Sequence, residues 1–400
     1  MLAIEGGAPL RAVPMPGWPQ FAEDEIAAVA EVLRSGRVNY WTGDLGKQFE
    51  QAFARYHDMP HAIALANGTL ALELALYALG IGAGDEVIVP ARTFIASASC
   101  VVARGAIPVV VDIEADSQNI SVTAVEAAIT PRTRAIIAVH LGGWPCDVEA
   151  LQNLALRHNL KLIEDCAQAV GAEYRGRKVG SFGDAAAFSF CQDKIMTTGG
   201  EGGMLLLKDE AAWRSAWAYK DHGKDYELVY HTPHPPGHRW LHTRFGSNWR
   251  LTEMQSAIGL RQLEKLPEWL AQRRANARQL TEGVAGLPGV HVPVRPEWVN
   301  DAYYRLHAFL ELERLRPDWS QDRVVAAITA EGVPCFHGGC AEIYREQAFA
   351  GLVDPARRLP NAKQGGETSL AFLLHPTLGV DEMAEMVAAI RKVLSVAVKT

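Results

Sequence analysis

Between residues 60 and 205, short runs of β-branched and other apolar residues alternate with segments whose apolar positions recur at helical spacing. The runs fall at 62–65, 87–89, 108–111, 135–139, 160–163 and 185–188. Leu70, Leu72, Leu74, Leu76 and Leu79 fill one intervening helix, and Val148, Leu151, Leu154 and Leu156 fill another. This alternation predicts the βαβ rhythm of a mostly parallel sheet, an α/β fold. Residues 222–248 break the pattern with Gly, Pro and His. The helical period then resumes from Thr252 to Leu266 and continues past Pro267 to about Gly286. A strand-like run at 303–310, a helix near 323–331 and a closing helix from 381 to about 398 predict a smaller α/β unit. The expected division is an N-terminal segment, 1–35, packing on the small domain, a large domain over 36–265 and a small C-terminal domain over 266–400.

Composition narrows the function. The 400 residues are 48% hydrophobic and 21% charged, ordinary for a globular chain, and a net charge of -7 gives no global basic field for nucleic acid or an anionic membrane. Cys100, Cys146, Cys166, Cys191, Cys335 and Cys340 form no CxxC pair, which favours reduced thiols over a disulfide framework or zinc site. There is no signal-peptide pattern at the start and no uninterrupted apolar run long enough to span a bilayer. A cytoplasmic protein is expected, with neither membrane nor nucleic acid as partner.

Polar clusters follow the predicted strands: Asn67-Gly68-Thr69, Arg92-Thr93-Phe94, His140-Leu-Gly-Gly143, Asp165-Cys-Ala-Gln168 and the stretch SFCQDKIMTTGGEGG from Ser189 to Gly203. Open α/β sheets bind ligands beyond the carboxyl ends of their strands, so the five clusters are expected to share one crevice. Gly68 and Thr69 open a helix, where free N–H groups and the helix dipole suit an anion, although an ordinary N-cap reads the same way. Asp165 is either a helix cap or the partner of a cationic ring nitrogen, Gln168 can donate and accept at once, and Phe94 offers a flat face or an ordinary core residue. The glycines after Lys194 come too late for a GxxxxGK[ST] phosphate loop, and Asn67-Gly-Thr lacks the second and third glycines of a dinucleotide fingerprint. A lysine amine forming a Schiff base with pyridoxal phosphate (PLP) would use every one of these parts.

Taken together, Asn67-Gly-Thr69, PARTF at 90–94, EDCAQAVG at 164–171, GDAAAFSF at 183–190 with Lys194, TTGGEGG at 197–203 and GSNWRLTE at 246–253 resemble the DegT/DnrJ/StrS sugar aminotransferases, within the fold-type I PLP enzymes. The resemblance runs from about Trp18 to His375 and implies a large domain with a mostly parallel mixed sheet flanked by helices. It further implies that Lys194 carries the Schiff base, that Gly68, Thr69 and Ser189 hold the cofactor phosphate, that Asp165 pairs with the pyridinium nitrogen, that Gln168 contacts the ring hydroxyl oxygen, and that Phe94 stacks on the ring. The residue matching Asn248 reaches the phosphate of the neighbouring subunit in that family, so a homodimer with shared active sites is implied. The implied reaction is ping-pong transfer from glutamate or glutamine, through pyridoxamine phosphate, to a keto group. A nucleotide-linked ketosugar ranks first as acceptor, a cyclitol ketone such as an inosose second and an aminohydroxybenzoate-forming reaction third. A catalytically silent, cofactor-binding regulator is the rival from another class.

The chain has Ser189-Phe-Cys-Gln-Asp-Lys194 where many relatives have SFHPTK, and Asn248-Trp-Arg250 where many have NYR. Lys194 argues against the dehydratases of the family, which replace this lysine by histidine. The motif PCFHGGCAEIY at 334–344 departs from the HYxPLHxQPxY form and bears on the acceptor. Arg250 has a planar fork suited to a donor carboxylate, or to a salt bridge. His307 is a second substrate candidate, more often structural in such a run, as is His375. The four histidines between His231 and His242 are interrupted by three prolines and have no carboxylate or cysteine among them, so a loop over the active site is expected there and no metal site.

Overall fold

The computed structural model describes residues 1–354 and 356–399. Seven strands, His61–Leu65, Glu86–Pro90, Ile107–Val111, Thr133–Val139, Lys161–Asp165, Ala185–Ser189 and Gly203–Leu207, form the main sheet. Taking these strands as first to seventh in chain order, the spatial order is first, seventh, sixth, fifth, fourth, second, third. The second to sixth pair in parallel, and Gly203–Leu207 runs antiparallel to both its neighbours, so the sheet is mixed. Each of the six apolar runs read from the sequence is a strand, because a strand covered on both faces must be apolar nearly throughout. The strands Glu86–Pro90, Ala185–Ser189 and Gly203–Leu207 are buried at every position. One face packs on Leu72, Leu76, Val101 and Trp217, and the other on Phe49, Phe53, Leu151 and Leu266.

The smaller unit is an antiparallel sheet of Val290–His291, Arg305–Leu310, Ser369–Leu373 and Cys335–Phe336, covered by the helices Gln321–Ala330 and Val380–Ala397. A 32-residue helix, Glu253–Val284, runs from one core into the other, opened by a Thr252/Gln255 capping box. The expected boundary at 265/266 falls inside this helix. Pro267 does not end it, because Leu266 and Leu270 are both buried in the large-domain core.

The N-terminal segment divides its packing. Leu2 is buried in the small-domain core, and the N–H groups of Ala3 and Leu10 donate to the Glu331 carboxylate. The helix Glu23–Ser35, expected on the small domain, lies instead along the long helix, where Gln262 and Lys265 each bond Glu25 at 2.8 Å. Between them, the Trp18 indole N–H donates to the Lys194 carbonyl at 2.8 Å. Among the described residues no helix is long and apolar enough to cross a membrane.

Candidate active site

All five clusters contribute to one cleft of about 960 Å³ beyond the carboxyl ends of the parallel strands. The helix Gly68–Ala78 starts there directly after the strand His61–Leu65, and the Asn67 side chain accepts the Leu70 N–H at 2.9 Å. The first N–H groups of the helix, those of Gly68 and Thr69, have no intrahelical acceptor. Close approach makes this corner: a side chain on Gly68 would sit 2.7 Å from Ser189 Cβ, and one on Gly203 would collide with the Asn67 carbonyl group. Gly203 lies between Leu65 and Ser189 in the sheet, so its missing side chain lets the helix start settle beside the Ser189 hydroxyl.

Asp165 ends a central strand. Its Oδ2 accepts from Ser97 Oγ at 2.8 Å, its Oδ1 from the Ala167 N–H at 3.1 Å, and Ser97 is tied to Thr93 at 2.8 Å. Burial pushes the Asp165 carboxyl above the usual carboxylate range, and the Ser97 and Ala167 hydrogen bonds and nearby Lys194 only partly offset this. Such a group is primed for a cation. Gln168 spends its Oε1 on the Gly142 N–H at 2.7 Å, which leaves its amide N–H groups as donors in the cleft. Phe94 is 69% exposed, and its ring lines the opening rather than the core.

Lys194 Nζ is 3.9 Å from Asp193 Oδ1 and 4.8 Å from the centre of the Tyr304 ring. Tyr304 donates its hydroxyl hydrogen to Asp193, and Arg305 lies 3.6 Å from the same carboxylate. The glycine-rich stretch after Lys194 is held by the long helix, through Thr197 N–H to Gln262 and Gln255 to the Glu201 carbonyl. Tyr304 and Arg305 fall inside a run that reads as core strand, and Ser97 inside a helix start, so none carries a separate sequence signal.

Asn248 and Arg250 lie outside this cleft in their own chain. Asn248 is exposed and pairs through its backbone with Asp221. Arg250 donates to the buried Asp221 carboxylate at 2.8 Å, the salt-bridge alternative to the expected donor contact. His307 does line the cleft, its Nε2 without a partner, and burial together with Arg92 holds it well below the usual histidine range. In the 231–242 stretch His234 and His242 bond backbone carbonyls. His140, Glu164 and Cys166 come close enough for a metal, but Glu164 accepts the Gly180, Phe182 and Gly183 N–H groups and His140 uses both ring nitrogens, on Cys146 N–H and Glu164.

A model of the DegT/DnrJ/EryC1/StrS aminotransferase family matches residues 19–391. The chain belongs to that family. It is a PLP-dependent aminotransferase of fold type I. This aminotransferase is 38% identical to the L-glutamine:2-deoxy-scyllo-inosose aminotransferase of Micromonospora echinospora, over 99% of its own length and 98% of that protein's. It is 36% identical to the dTDP-3-amino-3,4,6-trideoxy-alpha-D-glucose transaminase of Streptomyces venezuelae, over 92% and 91% of the two chains. Its structure is similar to that of an aminotransferase from Psychrobacter cryohalolentis, with 52% identity, a TM-score of 0.93 and coverage of 96% and 99%. The donor set of the cleft fits the cofactor: amide N–H groups and a hydroxyl for a phosphate, a buried carboxylate for a ring nitrogen, an amide for a ring oxygen, an open aromatic face and one lysine.

Proposed function

We propose that this aminotransferase moves an amino group from L-glutamate or L-glutamine to the keto group of a nucleotide-linked sugar, with Lys194 as the residue bonded to the cofactor. The observation that carries the reading is the placement of the Lys194 amine in the same cleft as the buried Asp165 carboxylate and the Gly68–Thr69 helix start. When bound, PLP supplies a conjugated cationic ring that takes up the electron pair released as a proton leaves the substrate Cα. Asp165 keeps the proton on the ring nitrogen, and Gly68, Thr69 and Ser189 neutralise and orient the phosphate. Gln168 donates to the ring oxygen and Phe94 covers one face, excluding water there. Freed when the donor amine takes its place, Lys194 Nζ would accept the Cα proton of the donor and deliver it to the cofactor carbon that bears the transferred nitrogen, and would run the same transfer in reverse on the acceptor.

The names of the relatives favour a second acceptor class as well, a cyclitol ketone, since 2-deoxy-scyllo-inosose appears in one and a dTDP-linked sugar in another. The active form is a homodimer in which Asn248 completes the partner's site. In support, Asn248 is exposed away from its own cleft, and the stretch of chain leading to it carries Trp240 and Phe245, which are 84% and 99% exposed. The reduced, unpaired cysteines suit the cytoplasm. The purified protein should be yellow, and borohydride should fix the cofactor on the peptide containing Lys194. Adding L-glutamate or L-glutamine should bleach the visible band. A colourless protein sinks the proposal, and a yellow one that no donor bleaches supports the silent regulator. Acceptors are then ranked by mixing the amine-loaded form with a nucleotide-linked ketosugar or an inosose and following return of the visible band.

A further inference from the structure

The small-domain end of the cleft contains a cation without a counter-charge. Arg92 leaves the strand Glu86–Pro90 two residues before Phe94 and is 1% exposed. Its Nη2 donates to Ser369 Oγ at 2.8 Å and to the His337 carbonyl at 3.3 Å, both neutral, and its Nε and Nη1 have no partner. Beside it, His307 Nε2 and Gln118 Oε1 are also unpartnered. Two glycines bring the chain against this group: a side chain on Gly338 would sit 2.7 Å from Arg92 Nη2 and 3.1 Å from His307 Nε2, and one on Gly365 would sit 3.0 Å from Arg92 Nη1. Gly338 and Gly339 both have φ near +95°, a conformation suited to glycine. A buried guanidinium without a carboxylate is costly, and burial here pulls its pKa down to about 10.

We propose that Arg92, flanked by His307, is the receptor for a substrate carboxylate at the small-domain end of the cleft, reached when the Gly338–Gly339 segment swings aside. The charge count selects the ligand class. His307 is held neutral, and the other cations of the cleft, Arg305 and Lys194, lie 3.6 and 3.9 Å from the Asp193 carboxylate, so the positive charge with no carboxylate beside it is that of Arg92, which a monoanionic carboxylate balances and a dianionic phosphate does not. The planar guanidinium also matches a planar carboxylate. Arg250, the alternative fork, is committed to Asp221 outside the cleft. The carboxylate belongs either to the amino donor or to an acidic, uronate-type acceptor. That assignment rests on the amino-transfer reading, whereas the binding itself does not.

The test is calorimetric titration of the purified protein and of Arg92→Met and Arg92→Lys with two matched pairs: D-glucuronate against D-glucose, and glutarate against 1,5-pentanediol. Arg92→Met should weaken the acid of at least one pair by about tenfold or more and leave its neutral partner within about twofold. Arg92→Lys, which keeps the charge and loses the fork, should fall between. A loss confined to glucuronate assigns an acceptor carboxylate. A loss for glutarate, with a KM for L-glutamate in the half-reaction that rises more than the saturating rate falls, assigns the donor. The proposal is overturned if wild type shows no acid preference, or if acid and neutral partners weaken together, as they would if Arg92 only pinned the two domains. Should Arg92→Met fail to fold, the Lys variant carries the same comparison. Failure of the amino-transfer reading would show as absent half-reactions and would leave the calorimetric contrast intact.

Discussion

Neighbouring residues on a strand point to opposite faces, and Glu164 and Asp165 use that alternation to put two carboxylates to different uses. Glu164, fully buried, is stitched by His140 and three backbone N–H groups, which outweigh the burial that would raise it and hold its carboxyl below the usual range. Asp165 has fewer partners, and burial wins. The pH dependences are therefore opposite in sign. The lowered Glu164 stabilises the fold above its unfolded pKa, and that contribution is lost as pH falls through the folded value. The raised Asp165 contributes most when protonated, and its contribution is lost as pH rises through the folded value. Glu164→Gln should cost about 3 kcal/mol in denaturant unfolding at neutral pH, because it breaks a buried ion pair. Asp165→Asn should raise the melting temperature of cofactor-free protein at pH 8, yet slow the L-glutamate half-reaction by on the order of a hundredfold or more. A mutant that melts lower and still transfers amines would contradict this account. At this scale the sequence marked Asp165, Gln168, Phe94 and Lys194 by their places after strands. Arg92 was placed in the crevice with its cluster but given no role, and Glu164 was given none, because the part a charged residue plays at a strand end depends on its burial and partners.

The elements were legible where their pattern was local. The six apolar runs and the helices read from 252, from near 323 and from 381 stand where the periodicity put them, to within a few residues. The strand Gly203–Leu207 was not separable in the sequence: its five residues follow a glycine tract and suit a buried strand or a buried helix turn equally. Its antiparallel insertion between His61–Leu65 and Ala185–Ser189 is a non-local fact, and it joins the Gly68–Thr69 helix start to the strand leading to Lys194. Gly203→Ala should consequently cost about 3 kcal/mol, since backbone rather than a flexible side chain lies in the way. The same variant should lose PLP on dialysis; if it retains PLP and its melting temperature, the close approach is not what builds the corner. Pro267 did not mislead: the helical period was read past it to about Gly286, and the helix runs to Val284. A proline usually marks a helix end, but the two cores that grip Glu253–Val284 on either side of it override that local preference.

At the scale of the whole molecule, a shared site makes a quantitative forecast. In the proposed dimer, in which Asn248 completes the partner's site, Lys194→Ala and Asn248→Ala damage the two halves of one active site, and those halves come from different chains. Each variant alone should be inactive or weak, whereas co-refolded in equal amounts they should regain about a quarter of wild-type activity, since half the dimers are mixed and each mixed dimer has one intact site. No recovery would place Asn248 outside the partner's site. Sequence could raise this idea only through family resemblance, because an exposed asparagine has no pattern of its own.

The cleft also has two origins. Its Asp165, Ser189 and Gly68 side is anchored in the fully buried main sheet, while His307, Gly338, Cys340 and Glu346 come from the small domain and its loops. Drift in the loop around Gly338–Gly339 can thus change which molecule is accepted without disturbing the residues that perform the transfer. Substrate preference in such a lineage can turn over faster than chemistry. A directed-evolution library confined to residues 337–346 should yield altered acceptor ranges while most members stay yellow.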